Sequence, residues 1–149
     1  MAQVTYAPDQ YKDYSTYSKL GYVYLAVVTF LDGSKAYKLG YTNNPSTRFI
    51  NDNTIHCVDF QLILPHVEEH HRGLPESKYQ MWEALAHKHA AFNMNYTELV
   101  KFRDNIKGTR FSGYSECYPF TQEADDAIVK ALLKVNECMA AYTDKVWFN

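Results

Sequence analysis

The chain has 149 residues and 17.3 kDa, with 46% hydrophobic and 21% charged residues. That balance excludes an extended disordered chain and is enough for one domain with a hydrophobic core. A net charge of −2 and a pI near 6.3 exclude a protein that grips nucleic acid through bulk positive charge, so any phosphate contact has to be local.

The N-terminal "MAQVTYAPDQYKDYSTYSK" is polar and Tyr-rich, without the basic and apolar regions of a signal peptide. Residues 1–20 are expected to form a loosely docked arm. Residues 22–31, "YVYLAVVTFL", are β-branched and aromatic and read as a buried strand. "DGS" at 32–34 signals a hairpin turn, and "KAYKLGYT" is its partner strand. Asn44 and Pro45 place a cap and a first-turn proline, opening a helix through Arg48 to about Asn53. "CVDFQLILP" at 57–65 is a third strand, ended by Pro65.

"HVEEHHRGLP" follows as a polar loop, and a helix then starts at Glu76 and Ser77 and runs to about Phe92. Met81, Trp82, Leu85, Ala86 and Phe92 supply its apolar positions. Residues 97–106 suit a short helix capped by Thr97, and 110–120 an irregular or extended segment. Thr121 caps a final helix with acidic residues in its first turn. Cys57, Cys117 and Cys138 are odd in number and widely spaced, so neither a disulfide framework nor a CxxC zinc pair is expected. A reducing cytoplasm is the simplest setting. No apolar run approaches the ~18 residues of a membrane span. The fold expected over 21–149 is α+β, a small three-stranded antiparallel sheet flanked by helices, with no membrane partner.

The ordered series Gly21-Tyr22-Val23-Tyr24, Tyr37-Lys38-Leu39-Gly40, Asn44-Pro45 and Arg48 resembles the GIY-YIG nuclease superfamily, in its phage-type "YKIGxT" subgroup. Later stretches fit the same resemblance: "MWEALAHKHAAF" looks like the family's Glu-bearing helix, and "RFSGYSECY" like the subgroup's closing segment. The resemblance covers about residues 21–120. It implies two antiparallel strands presenting the namesake motifs, an Arg from the following helix, and a Glu holding one divalent metal. The implied activity is metal-dependent DNA endonuclease cleavage by a phage-encoded protein working in the host cytoplasm. One departure stands out. The family's second Tyr falls on Lys38, and Tyr37 cannot replace it because neighbours on a strand face opposite ways.

Phosphodiester hydrolysis needs an activated nucleophile, neutralised phosphate charge and help for the departing oxygen. Tyr24 is the candidate base, its phenol lowered by a neighbouring cation that Lys38 would supply. The planar fork of Arg48 matches two phosphate oxygens. Glu83 suits Mg²⁺ or Mn²⁺ as a hard oxygen ligand. His87, four residues on, shares its helix face and would orient Glu83 or touch phosphate. Tyr41 and Glu116 are the remaining candidate substrate contacts, Glu116 equally a brace for its loop. In the bland readings, Tyr24 is a core aromatic, Lys38 and Arg48 are solvated residues, and Glu83–His87 is an ordinary surface pair. His66, Glu68, Glu69, His70 and His71 fit no defined metal-site spacing and read as a polar loop.

Two other functions stay open from sequence. One is a catalytically inactive relative that binds nucleic acid or a host protein; the other is a metal-binding protein using the histidine cluster. A lone domain of this kind would find a target through a homodimer, a partner or modest sequence demands.

Overall fold

The structure, a computed structural model, describes residues 2–7, 17, 21–64 and 77–148, with side chains of 80–139 in the last span. Its strands are β1 (Gln3–Tyr6), β2 (Tyr22–Phe30), β3 (Lys35–Thr42), β4 (Ile55–Leu64) and β5 (Cys117–Pro119). Its helices are α1 (Ser77–Phe92), α2 (Tyr96–Lys107) and α3 (Gln122–Phe148), with a 3₁₀ turn at Tyr114–Glu116. The class is α+β, as the sequence pattern implies. The sheet has five strands in the order β1-β4-β2-β3-β5 and is mixed, because β1 runs parallel to β4 while the other pairs are antiparallel.

The expected three-stranded core is therefore present but extended at both edges. Four residues of the expected arm form β1, whose Tyr6 ring stacks on Phe60 at 5.3 Å and whose Thr5 hydroxyl donates to Asp59 at 2.8 Å. So short a strand carries too little periodicity to be read from sequence; pairing with the open edge of β4 creates it. The expected irregular segment supplies β5, which pairs with β3 only from Ala36 to Lys38.

The β2–β3 hairpin closes as its turn residues dictate. Gly33 has φ +89°, and Asp32 Oδ1 accepts from the Ser34 amide at 2.9 Å and the Ser34 hydroxyl at 2.6 Å. Pairing continues from Thr29↔Lys35 to Tyr22↔Thr42, bringing Tyr24 opposite Gly40 and Ala26 opposite Lys38. Period-2 alternation then sorts the hairpin onto two cores. Val23, Leu25 and Leu39 pack beneath the helices with Trp82, Ala86, Ala90, Ile128, Leu132 and Val135. Tyr24, Ala26, Val28 and Ala36 pack on the opposite face with Phe49, Phe60 and Phe111.

Three local expectations are corrected. Residues 45–53 form consecutive turns instead of a helix. The Arg48 amide reaches the Asn44 carbonyl at 3.1 Å, but the next bonds, Ile50 to Thr47 and Asp52 to Phe49, are of the shorter i→i−3 type. A single turn does not recover the cost of helix nucleation, and burial of Phe49 anchors the segment instead. The cap of α2 is Asn95, whose side chain accepts from the Glu98 amide at 3.1 Å, so Thr97 lies inside the helix. In α1 the buried stripe is Trp82, Ala86 and Ala90, while Met81 and Phe92 are exposed. The alanines sit under α3, where small side chains let helices approach closely. Thr121 does cap α3, accepting from the Ala124 amide at 3.2 Å. Among the described residues no helix is long and apolar enough to cross a membrane.

Candidate functional site

β5 stops at Lys38↔Cys117, and the chain just before it turns through Tyr114–Glu116 across the edge of β3. This early ending lets side chains from both sheet faces meet. Lys38 comes from the Tyr24 face and reaches the sheet edge, where its ammonium donates to Glu116 Oε2 and to the Tyr24 hydroxyl, the latter at 3.4 Å. From the helix side, α1 brings Glu83 and His87 to the same edge. One ligand-capable atom from each of Glu83, His87 and Glu116 lies within 4.8 Å of the others.

Two glycines create the space. A Cβ on Gly40 would stand 2.5 Å from the Tyr24 hydroxyl and 2.7 Å from the Lys38 ammonium. A Cβ on Gly113 would stand 2.7 Å from Lys38 Cε. The Gly of the hairpin motif is thus a consequence of Tyr24 and Lys38 crossing directly over the β3 backbone.

Tyr24 is 0% and Lys38 1% exposed, so both lie beneath the surface and not on an open concavity. Burial pushes the Tyr24 phenol above its ordinary value. The charges of Lys38 and Arg48 pull it down, yet burial outweighs them. The expectation that Lys38 lowers Tyr24 overall is therefore corrected: in this state Tyr24 is a neutral phenol. Burial also pulls on Lys38, downward, but Tyr24 and Glu116 together leave it above its ordinary value. It remains an ammonium. Arg48 is exposed, its guanidinium 5.0 Å from the Phe49 ring centroid and near enough for its charge to act on Tyr24 and Lys38.

The two carboxyls are driven apart. Burial, together with the hydrogen bond and charge of Glu116, raises Glu83 against the opposing pull of His87. Burial pushes Glu116 upward as well, but the Lys38 charge and the hydrogen bond from Glu83 bring it below the usual carboxylate range. Glu116 is thus the stronger acid of the pair and Glu83 the weaker. His87 Nδ1 lies 2.7 Å from the Tyr118 hydroxyl, and the two rings stack at 5.7 Å. His87 Nε2 is 3.7 Å from Glu83 Oε1 and is buried without a hydrogen-bond partner. Two carboxylates and an imidazole with an unsatisfied nitrogen are a donor set that fits a divalent cation.

The structure thus brings together Tyr24, Lys38, Glu83, His87 and Glu116, with Arg48 alongside. Tyr41 is not among them. It faces the other way from Lys38, its ring lying over Gly21 where a Cβ would come within 2.3 Å, and it packs against the helix-side core. Gly21 has φ +81°, so it meets a conformational need as well as a spatial one. Tyr37 likewise faces the helix side and lies 5.0 Å from Phe120, as alternation requires. Sequence reading missed Tyr118 and Arg103. The Arg103 guanidinium lies 4.8 Å over the Tyr118 ring, and its Nε donates to the Cys117 carbonyl at 2.9 Å. Tyr118 ends the "RFSGYSECY" segment, where its aromatic type was visible but its contact with His87 was not, while Arg103 belongs to no motif; the tertiary fold brings both here. The Cys117 thiol is pushed up to about 12 by burial, which leaves it inert as a nucleophile. The His66–His71 cluster lies outside the described residues.

No family model, no curated protein and no solved structure matches this chain.

Proposed function

We propose that the protein is a metal-dependent DNA endonuclease of GIY-YIG type that hydrolyses phosphodiester bonds. The observation that carries this reading is the meeting of Tyr24, Lys38, Glu83, His87 and Glu116 at one sheet edge, with the exposed fork of Arg48 beside them. These groups are far apart in sequence, and the bland readings of each give no reason for them to converge.

In this scheme Arg48 receives the scissile phosphate, pairing its planar fork with two oxygens. Lys38 adds a second positive charge from below. Its carboxylate partner, Glu116, keeps that charge oriented while the site is empty of substrate. Tyr24 positions the attacking water through its phenolic oxygen; once enough positive charge has gathered to lower it, the phenol releases its own proton to solvent, and the phenolate takes the water's proton. Glu83 would hold a divalent cation, Mg²⁺ or Mn²⁺, which when bound would supply further positive charge and Lewis acidity for the departing oxygen. Approach to Tyr24 requires the Lys38–Glu116 contact to open, because both Tyr24 and Lys38 are covered. An incoming phosphate competes with Glu116 for the ammonium and provides a reason for it to open.

That covering also favours a second reading, an inactive relative that binds nucleic acid or a host protein. A plasmid-nicking assay separates the two. The nuclease reading expects cleavage with Mg²⁺ or Mn²⁺, none with EDTA, and loss in folded Arg48→Ala and Glu83→Ala. Retained DNA binding without cleavage under every metal condition supports the second reading. Cleavage that persists in both variants removes the mechanism.

A further inference from the structure

Glu83 and His87 stand four residues apart on α1, yet Nε2 and Oε1 are separated by 3.7 Å, beyond hydrogen-bond range. Neither group satisfies the other. The imidazole is nevertheless held firmly: Nδ1 meets the Tyr118 hydroxyl at 2.7 Å, and the rings stack 15° from parallel. Tyr118 is fixed in turn beneath the Arg103 guanidinium. In the tautomer whose Nδ1–H donates to the Tyr118 oxygen, Nε2 carries a lone pair, and that nitrogen is buried with no hydrogen-bond partner. This is the outer-shell arrangement by which proteins orient a metal-binding histidine.

We propose that Glu83, His87 and Glu116 form a three-residue carboxylate–imidazole centre that takes a first-row transition cation in preference to Mg²⁺. This deepens the metal-dependent reading above and rests on it for its purpose, though not for its geometry. The choice of ion follows from the donors. Mg²⁺ favours oxygen ligands and retained water, and an imidazole nitrogen adds little to its affinity. First-row divalent ions gain from imidazole, least at Mn²⁺ and more along the series to Cu²⁺. Glu116 can join the centre without releasing Lys38, because the ammonium engages Oε2 and the carboxylate has a second oxygen to offer. The charges also balance usefully: two carboxylates against a divalent ion and one ammonium leave a single positive charge, the complement of one phosphodiester.

The test is direct metal binding to the full-length protein, followed by electron paramagnetic resonance with Mn²⁺ as probe. In competition titrations Mn²⁺ is expected to bind at least about tenfold more tightly than Mg²⁺, and the Mn²⁺ spectrum should carry nitrogen coupling from one imidazole. His87→Gln should abolish that coupling and cost about 10- to 100-fold in Mn²⁺ affinity, with little change for Mg²⁺. Tyr118→Phe, which preserves the ring, should weaken Mn²⁺ by about tenfold while leaving the coupling present. Wild-type protein without nitrogen coupling overturns the proposal, as does equal binding of the two ions with indifference to His87→Gln. These readouts are independent of catalysis. A coupled Mn²⁺ centre in a protein that never cuts DNA sustains the centre and defeats the nuclease reading. Mg²⁺-supported cleavage that is unaffected in His87→Gln, without nitrogen coupling in the parent, does the reverse.

Discussion

Replacing Glu116 by Gln removes the negative partner of an ammonium that is 1% exposed, while keeping the side chain's shape and one acceptor oxygen. Removing one member of a fully buried ion pair typically costs about 3–5 kcal/mol, because the remaining charge is stranded. Here the Glu116 side chain is 33% exposed, so water screens the pair and the replacement amide still accepts a hydrogen bond. A loss of about 2 kcal/mol is the reasonable expectation after that discount. At this chain length it lowers the melting temperature by about 4–8 °C. Lys38→Met reverses the logic. It fills the same volume with apolar atoms beside Tyr24, Phe111 and Cys117 and leaves a carboxylate that water can reach. Its effect should stay within about 1 kcal/mol of zero, or be stabilising. The double variant should resemble Lys38→Met alone. Urea denaturation of all four proteins at neutral pH closes the cycle, and the same samples go into the nicking assay. The account expects Lys38→Met to be stable and inactive, the pattern of a residue kept for function at no gain in stability. A Glu116→Gln protein within about 0.5 kcal/mol of the parent, or a Lys38→Met protein less stable than Glu116→Gln, refutes the reasoning.

Other outcomes follow from the same geometry. Gly40→Ala forces a methyl group toward the Tyr24 hydroxyl, whose ring is locked by Phe49 and Phe60 at 6.1 and 5.1 Å, so overpacking should cost about 1–3 kcal/mol and abolish cleavage; an active Gly40→Ala protein of unchanged stability contradicts this. Because burial holds the folded Tyr24 phenol above its unfolded value, its contribution to stability is complete below about pH 10 and is lost as pH rises through the folded value. Chemical denaturation across the alkaline range should show that loss, and Tyr24→Phe should make the decline shallower; an identical decline in the variant counts against it. Arg48→Lys should fold normally and lose most cleavage at saturating metal, since a point charge cannot replace the bidentate fork; full activity would show that only charge is needed there.

The hairpin was legible because its signals are local. Asp32, Gly33 and Ser34 form the turn through contacts two residues apart, and alternation alone assigns Lys38 and Tyr37 to opposite faces. The start of α3 at Thr121 was legible for the same reason. Tyr24, Lys38, Glu83, His87 and Glu116 were singled out by residue type and order, but their depth was not. Nothing in "YVYL" or "YKLG" tells that Phe49, Phe60 and Phe111 close over them, and that closure turns Tyr24 from a lowered phenol into a raised one. Strand β1 and the Tyr118–His87 contact depend on pairing across 54 and 31 residues and left no local trace. Tyr41 emerges on the face of Tyr37 and Leu39, as alternation requires, but nothing local tells that its ring lies over Gly21.

The central claim is that Arg48, Lys38, Tyr24 and Glu83 act on one phosphate. A crystal structure with Mn²⁺ and a short phosphorothioate-protected DNA tests it most directly. The account predicts one backbone phosphate seated between the Arg48 guanidinium and a metal peak at the Glu83 carboxylate, with Lys38 drawn toward it. DNA bound on another surface, or a phosphate at Arg48 with no metal at Glu83, would contradict it.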